Sequence, residues 1–356
     1  MEYFTPILAA LCLVTFFLSQ YSLLDSKGWV AVFASFCSLI YLQRQDVRRA
    51  KEQEGAEIVQ KLHDFQKAQQ EKHEMNEWWT KEKIRVYNGR SDPTGETFIK
   101  YTCLFDLTAN TDRGILDELT SKNEEIACLQ RENELKLKEL YDKVNIETTY
   151  NSNAIEGNRL SRSETSIILS GLIAGEGKTV REMEDIVGHA KAFEKVRDLV
   201  AANAAISIGN ILSIHELVLQ NHSSGGKYRG EEKFVSVSKR KVLLAMPDEI
   251  EELMTRLVNW IGAGQGTDHP LLLACTVHYV FLRIHPFLDG NGRTARLLSN
   301  LVLMRGGYPP VIIPAEKGET YRDALAAWDG GEPALFTAFM VDLLKEGFSL
   351  CEKELR

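Results

Sequence analysis

From Asp112 onward, apolar residues recur at helical spacing almost without interruption, and this pattern limits the fold of the region more than any other feature. Leu116, Leu119, Ile126 and Leu129 repeat at intervals of three and seven residues, as on one face of an α-helix. The same periodicity predicts further helices over residues 161–174, 179–201, 207–221, 247–262, 269–284, 292–305, 319–328 and 332–352. The sequence therefore predicts an all-α domain over residues 113–350.

One segment within this domain breaks the helical pattern. Residues 233–245, KFVSVSKRKVLLA, alternate Phe234, Val235 and Val237 with serine and lysine. Alternation of this kind is typical of an exposed strand or hairpin. We therefore expect a small β-hairpin here.

The first 43 residues are much more apolar than the rest of the chain. Two apolar runs, residues 3–24 and 29–42, flank the polar break at residues 25–28. At ~1.5 Å per helical residue, the first run as a helix is long enough to cross the ~30 Å hydrocarbon layer. The second run is too short to cross it unless the long side chains of Lys27 and Arg44 extend to the membrane interface. We expect a membrane hairpin over residues 1–43, with one or two transmembrane helices; the alternative is a buried helical hairpin in a soluble fold.

Charges flanking these runs indicate an orientation. Arg44, Arg48, Arg49 and Lys51 follow the second run, so the positive-inside rule places the rest of the chain in the cytoplasm. Glu2 stands where a signal peptide carries positive charge, which argues against cleavage.

Two segments connect the membrane hairpin to the helical domain. Residues 44–83 are rich in Glu, Gln, Lys and Arg with few apolar positions, which predicts a charged helical stalk and leaves a homodimer open. Residues 84–112 contain alternating segments around the turn sequence at 92–95, which predicts a small β-containing segment.

Composition excludes some partners. The chain has 42 basic and 50 acidic residues, a net charge of −8, so nucleic acid is not an expected partner. Six cysteines form no CxxC pair and no Cys/His cluster at zinc-ligand spacing, which predicts reduced thiols and no structural metal.

The chemistry concentrates in residues 285–297, HPFLDGNGRTARL. A glycine-containing loop at the start of a helix aims backbone N–H groups at an anion, and Arg293 and Arg296, three residues apart, leave the same helix face. Asp289 offers an oxygen ligand for Mg²⁺, and His285 can accept a proton near neutral pH. Each residue alone fits a simple turn between helices, but together they indicate a polyphosphate site.

Other candidate motifs carry less weight. Residues 171–179 imitate a phosphate-binding Walker loop, but five residues rather than four separate the glycines and no buried strand precedes them, which favours a helix-to-helix loop. His215 and His278 lie in apolar helical stretches and are expected to make hydrogen bonds in the core.

The motif resembles a known family signature. His285, Phe287, Asp289 and the run from Gly290 to Arg296 match HxFx(D/E)GNGRxxR, the signature of the Fic family. The stretch KYRGEEKFVSVS from Lys227 is similar to the family's approach to its flap hairpin, and YRDALAAWDGGEPALFTAFM from Tyr321 to its C-terminal helices. The resemblance covers residues 113–350 and implies a Fic-type helical bundle.

The resemblance implies a protein adenylyltransferase, which moves AMP from ATP to a Ser, Thr or Tyr hydroxyl of a target protein with Mg²⁺. The roles it implies are as follows: His285 as base, Asp289 as Mg²⁺ ligand, Gly290, Asn291 and Gly292 as phosphate cradle, Arg293 as a phosphate contact, Arg296 as the γ-phosphate ligand, Phe287 as loop anchor, and Val235 and Val237 as part of the target-aligning flap.

A second motif implies regulation. Ser152, Glu156 and Gly157 fit the pattern (S/T)xxxE(G/N), which resembles the inhibitory motif of Fic proteins. A carboxylate beside Arg296 would occupy the guanidinium that the γ-phosphate needs. The expected resting state is therefore self-inhibited by Glu156.

Several alternatives remain at this point. The enzyme could be a de-AMPylase or bifunctional, or could transfer another nucleotide such as UMP, and a catalytically idle, ATP-sensing membrane scaffold is a reading of a different class. The expected location is a bacterial inner membrane with the Fic domain in the cytoplasm. The competing topology is that of the animal Fic enzyme, in the ER lumen. The partners expected are ATP, an unidentified target protein and the membrane.

Overall fold

The computed structural model describes residues 111–172, 177–237, 240–266, 268–329 and 331–356. The α-helices in these ranges are α1 (Arg113–Glu132), α2 (Glu134–Ile155), α3 (Arg162–Leu169), α4 (Val180–Ala201), α5 (Ile208–Val218), α6 (Ile250–Gly264), α7 (Pro270–Ile284), α8 (Asn291–Arg305), α9 (Gly318–Asp329) and α10 (Pro333–Leu355). Two short 3₁₀ helices, Pro247–Glu249 and Ala315–Lys317, precede α6 and α9. The described region is thus predominantly helical.

The predicted helices are present, with differences at some ends. The helix predicted over 161–174 ends at Leu169, because Gly171 adopts a positive φ of 80° that a continuing helix cannot accommodate. The periodicity from residue 116 to 144 is divided between α1 and α2 at Asn133, whose side-chain amide donates to the Leu129 carbonyl, 3.1 Å away.

The imitation Walker sequence lies between α3 and α4. Its last residue, Thr179, is the N-cap of α4 and accepts a hydrogen bond from the Glu182 N–H, while the Glu182 carboxylate accepts one from the Thr179 N–H. This reciprocal capping box starts a helix and leaves Thr179 no phosphate-binding role. The described residues of this stretch, 171, 172 and 177–179, thus lie between two helices, as predicted, and residues 173–176 lie outside the described residues.

Helices α7 and α8 form the centre of the core. Leu271 to Leu282 are buried along α7, and almost every residue of α8 is buried. A helix that is buried on all sides must be surrounded by others, and here α10 packs on α7 while α4 and α5 pack on α8. The signature motif connects α7 to α8, so both of its ends are fixed in the core.

Helix α2 contacts both α4 and the helix that carries the motif arginines. It packs against α4, and the C-terminal end of α2 lies beside the first two turns of α8. This arrangement brings residue 156 close to residue 296 although 140 positions separate them.

Between α5 and α6 the backbone forms a two-stranded antiparallel hairpin. Strand β1 (Phe234–Val237) pairs with β2 (Arg240–Leu243), with Val235 opposite Val242 and Val237 opposite Arg240. The hairpin occupies the segment whose alternating pattern stands out in the sequence.

The predicted membrane hairpin (1–43), stalk (44–83) and most of the β-containing segment (84–110) lie outside the described residues. Among the residues that are described, none of the helices combines the length and apolar character needed to cross a bilayer.

Candidate active site

The motif begins at a sharp turn at the end of α7. His285 is the C-cap of that helix and has left-handed backbone angles, φ 49° and ψ 59°, while its N–H still donates to the Phe281 carbonyl at 2.9 Å. A non-glycine residue rarely adopts this conformation, and such residues cluster at functional sites. The turn reverses the chain direction immediately after the helix.

The His285 imidazole is neutral with a defined tautomer. Its Nδ1 lies 3.3 Å from the Leu282 carbonyl, which can only accept, so the proton lies on Nδ1 and Nε2 carries the free lone pair. Burial, reinforced by the positive charges of Lys233 and Arg229, lowers the pKa of His285 to about 3. The imidazole is therefore uncharged at neutral pH, and its Nε2 lone pair is available.

Asn291 closes the loop that follows. Its side-chain oxygen accepts from the Phe287 N–H at 3.0 Å, and its amide nitrogen donates to the Phe287 carbonyl at 2.8 Å. The Asn291 side chain is buried and shapes the loop, and its predicted place in the phosphate cradle stays a prediction about its backbone. Phe287 itself is fully buried, as its predicted anchor role requires.

His215 supports the same loop from α5. Its ring stacks on Phe287 with centroids 3.5 Å apart, and its Nδ1 accepts from the Gly226 N–H. Nε2 therefore carries the proton and donates to the Asp289 carbonyl at 2.9 Å. Burial lowers the pKa of His215 to about 4, which keeps it neutral. The prediction that His215 makes core hydrogen bonds is confirmed.

The start of α8 forms a small space for an anion. Gly290 is the N-cap, with φ 76°, and Gly292 lies in the first turn. A Cβ placed on Gly292 would lie 2.2 Å from Oε1 of Glu156, so a glycine is required to leave this space open. A helix N-terminus attracts negative charge, and here a carboxylate oxygen of Glu156 occupies the position.

Arg296 lies beside this oxygen and is buried. Its Nη2 donates to Oε1 of Glu156 at 2.7 Å and to the Ser152 carbonyl at 2.9 Å, and its Nε donates to the Ser152 hydroxyl at 2.9 Å. Burial opposes the charge, but Glu156 and Tyr321 outweigh it and raise the pKa of Arg296 above its ordinary value. Ser152, Glu156 and Arg296 thus form one cluster.

Gly157 sets the position of Glu156. It has φ 92°, and its N–H donates to the Ala154 carbonyl at 3.0 Å, so α2 ends with Glu156 as its C-cap. Only a residue that tolerates a left-handed backbone suits this position. The Glu156 side chain is 43% exposed, so it lies at the mouth of the site.

Arg293 contacts two carboxylates. Its Nη1 donates to Oδ1 of Asp185 on α4 at 2.7 Å, and its Nη2 lies 3.6 Å from Oδ2 of Asp289. Burial acts to raise the pKa of Asp289, but Arg293, the Gly290 N–H and Arg181 outweigh it, so the pKa is lowered. Asp289 is therefore ionised and exposed, so its carboxylate is available to a metal ion.

Comparison with known proteins gives the family. The profile described as "Fic/DOC family" matches residues 205–303. The solved structure of Fic-1 from C. elegans is 30% identical with a TM-score of 0.61, and the match covers 70% of this chain and 74% of that one. The chain belongs to the Fic/DOC family.

Other Fic proteins match this chain with similar sequence identity and coverage. A Fic-domain signalling protein from Bacteroides thetaiotaomicron is 28% identical with a TM-score of 0.61, and the match covers 68% of this chain and 96% of that chain. The curated "Protein adenylyltransferase Fic" proteins of Drosophila erecta and Drosophila melanogaster are each 32% identical over 248 residues. That match covers 69% of this chain, which spans about half the length of these curated relatives (49%).

Sequence reasoning missed three residues that position the Fic motif. Arg229, which is buried, donates to the carbonyls of His285 (2.8 Å), Glu231 (2.6 Å) and Ala245 (2.5 Å) and so connects both ends of the hairpin to the turn at His285. Asp185 binds Arg293, and Arg181 lies one helical turn before Asp185. No short motif signals these roles, since each depends on packing between distant segments.

The Fic site fits a magnesium nucleotide. Within the described part of the chain, the buried Nε of Arg293 and Nη1 of Arg296 have no hydrogen-bond partner, so both guanidinium groups keep a free donor. Asp289 offers the hard oxygen that Mg²⁺ prefers, and Mg²⁺ commonly takes only one or two protein carboxylates together with phosphates and water. The described residues contain no group of three or more His, Cys, Asp or Glu side chains suited to hold a metal by themselves.

Proposed function

We propose that this Fic protein is a protein adenylyltransferase that transfers AMP from ATP to a hydroxyl group of a target protein. The observation that carries the proposal is that a neutral imidazole, a glycine-lined helix N-terminus and two buried arginines come together in the loop 285–290 and the first two turns of α8. The Drosophila relatives named above are adenylyltransferases. Their names favour AMP transfer over de-AMPylation, UMP transfer or an idle ATP-sensing scaffold.

Each of these residues has a role in the proposed in-line displacement at the α-phosphorus. The target hydroxyl loses its proton to Nε2 of His285, its oxygen forms a bond to the α-phosphorus of ATP, and the bond to pyrophosphate breaks. Arg293, Arg296 and the N–H groups at the start of α8 stabilise the charge that develops on pyrophosphate. Mg²⁺ held by Asp289 would neutralise part of the phosphate charge.

Glu156 makes the resting enzyme inhibited. Its carboxylate occupies both the space over Gly292 and the Nη2 donor of Arg296, which a bound γ-phosphate would also need. Two anions at one helix N-terminus repel each other, so ATP must displace Glu156 or bind unproductively.

The hairpin is the proposed guide for the target. Backbone groups of β1, which carries Val235 and Val237, can add a strand of the target protein. Arg229 and Lys233, which donates to the Leu288 carbonyl, connect this hairpin to the motif. A target segment paired with the hairpin would thus have a fixed relation to His285.

The chain's location is a separate proposal. Residues 1–43 would anchor the protein in a bacterial inner membrane, residues 44–83 would form a stalk that can support a homodimer, and the Fic domain would face the cytoplasm. Protease protection of vesicles carrying a tag at each end would test it, since only exposed domains are cleaved.

Transfer of label from α-³²P-ATP tests the function. We expect weak self-labelling of the natural chain, strong labelling of Glu156→Gly, and none of the double variant with His285→Ala. The matched control is His222→Ala in the Glu156→Gly background, because His222 is an exposed histidine away from the motif. Equal labelling with and without His285, or none in Glu156→Gly with Mg²⁺ and candidate targets, would reject the proposal.

A further inference from the structure

Four charged side chains form a closed cluster between α4 and the Fic motif. Oδ1 of Asp185 lies 2.7 Å from Arg293 and 3.3 Å from Arg181, and Oδ2 of Asp289 lies 3.6 Å from each of the same two arginines. The signs alternate around this four-charge cluster. Two of its members, Arg181 and Asp185, belong to no motif identified in the sequence.

The position of Arg181 is unfavourable for its own helix. It is the second residue of α4, where the helix dipole disfavours a positive charge. Its partner on the helix, Asp185, is four residues later, and an acidic residue C-terminal to a basic one is the weaker order for such a pair. Helix stability therefore does not account for an arginine at this position.

The turn that carries Arg181 is held rigidly next to the inhibitory segment. The carboxylate of Glu182 accepts hydrogen bonds from Nε (2.7 Å) and Nη2 (3.0 Å) of Arg159, and the Glu182 carbonyl accepts one from the Asn158 side chain (2.9 Å). Residues 158 and 159 directly follow Glu156 and Gly157. The first turn of α4 is thus fixed relative to the mouth of the anion site.

Arg181 retains capacity to bind another anion. Its side chain is 36% exposed, whereas that of Arg293 is 5% exposed. Its distance of 3.6 Å from Asp289 is an ion-pair separation, too long for a hydrogen bond, so its Nη2 donors are not committed to that carboxylate. Arg181 is therefore a cation at the open edge of the motif, on the side of Asp289.

We propose that Arg181 is a third phosphate-binding cation of this site, in addition to Arg293 and Arg296, and that Asp185 positions both Arg181 and Arg293. The ligand is the polyphosphate of a nucleoside triphosphate, and this choice rests on the proposed function. Because Arg181 would contact phosphate and not the nucleoside, its contribution should grow with the number of phosphates.

Isothermal titration of the full chain carrying Glu156→Gly tests the proposal with ATP, ADP, AMP and adenosine, each with Mg²⁺. Arg181→Ala should weaken ATP binding about five- to tenfold, since a partly exposed charge-assisted contact is lost, and should leave adenosine binding unchanged. Arg181→Lys should retain part of the ATP affinity. The control is Arg256→Ala, because Arg256 also forms an ion pair four residues away on one helix and its side chain is 33% exposed.

Three outcomes would overturn the inference. Equal weakening of all four ligands would indicate a structural role of Arg181. Unchanged ATP binding would show that Arg181 does not contact phosphate, and tighter binding would show that it masks Asp289. If the Glu156→Gly variant itself does not bind ATP, the proposed function is rejected. If this variant binds ATP and the added Arg181→Ala change has no effect, only the inference about Arg181 is rejected.

Discussion

Replacing Glu156 by glutamine isolates the charge of the inhibitory contact. Glutamine keeps the size and most of the shape of the side chain, so the space over Gly292 remains partly filled. The charge-assisted bond of 2.7 Å to Arg296 becomes a bond to a neutral amide. The buried guanidinium keeps its two hydrogen bonds to Ser152, so the local fold should not change.

The structure gives the size of the effect. A hydrogen bond to a charged group contributes about 1.5–3 kcal/mol. Because the Glu156 side chain is 43% exposed, solvent screening reduces this to about 1–2 kcal/mol. Glu156 and the terminal phosphate compete for the same guanidinium, so this free energy opposes ATP binding in the natural chain. At about 1.4 kcal/mol per factor of ten, the glutamine variant should bind ATP about five- to thirtyfold more tightly.

Titration calorimetry with magnesium-ATP measures this directly. Glu156→Gly should bind more tightly than Glu156→Gln, because it also empties the space over Gly292. Higher salt should narrow the difference between the natural chain and the glutamine variant, since a partly exposed ion pair is screened. Dissociation constants for Glu156→Gln and the natural chain that agree within about twofold would refute competition for Arg296.

Three further predictions concern buried groups. The pKa of His285, lowered to about 3, predicts that kcat/KM of Glu156→Gly stays level from about pH 8 down to about pH 5; an acid limb centred between about pH 6 and 7 would contradict this. The folded pKa values of His278 and His285, both about 3, lie below the unfolded value, so the unfolded chain binds more protons and stability is lost as pH falls below about 6.5. Together they should lower the free energy of unfolding by about 2.7 kcal/mol per pH unit between about pH 6 and 4, and denaturant titrations with no loss there would disprove it. Arg229→Ala should lower the free energy of unfolding by more than about 2 kcal/mol, because three carbonyls lose a buried donor; a smaller loss in guanidinium titration would show that water replaces it.

The helices and the motif could be predicted from the sequence because both depend on residues that are close together in the chain. Helical periodicity and helix-ending glycines involve residues only a few positions apart. The observed ends of α7 and α8 accordingly lie within one residue of the predicted ends. The resemblance to the Fic signature supplied the remaining step, since spacing alone does not connect Glu156 with Arg296. The predicted helix ends were less accurate where a helix is ended by the backbone conformation of a single residue, as at Gly171.

The supporting residues were not accessible, because their roles are tertiary. Arg229, Asp185 and Arg181 act by reaching backbone or side-chain atoms of the motif, 108 positions away in the case of Asp185 and Arg293. The stretch around Lys227 resembled the family, but nothing in it distinguished a buried arginine from an exposed one. The signature placed Asn291 in the phosphate loop but did not show that its side-chain amide matches both backbone groups of Phe287.

The electrostatics of the site explain why Glu156, rather than Asp185, is the proposed inhibitor. Arg293 and Arg296 are both buried, and a buried guanidinium without a counter-charge is strongly destabilising. Each therefore needs a carboxylate when no phosphate is bound: Asp185 serves Arg293, and Glu156 serves Arg296. Asp185 is 17% exposed within α4, whereas Glu156 is 43% exposed at the end of α2, next to a glycine with φ 92°. Glu156 is thus the counter-charge that can leave at least cost, and its departure leaves a space over Gly292 and a free cation together, both of which a terminal phosphate requires.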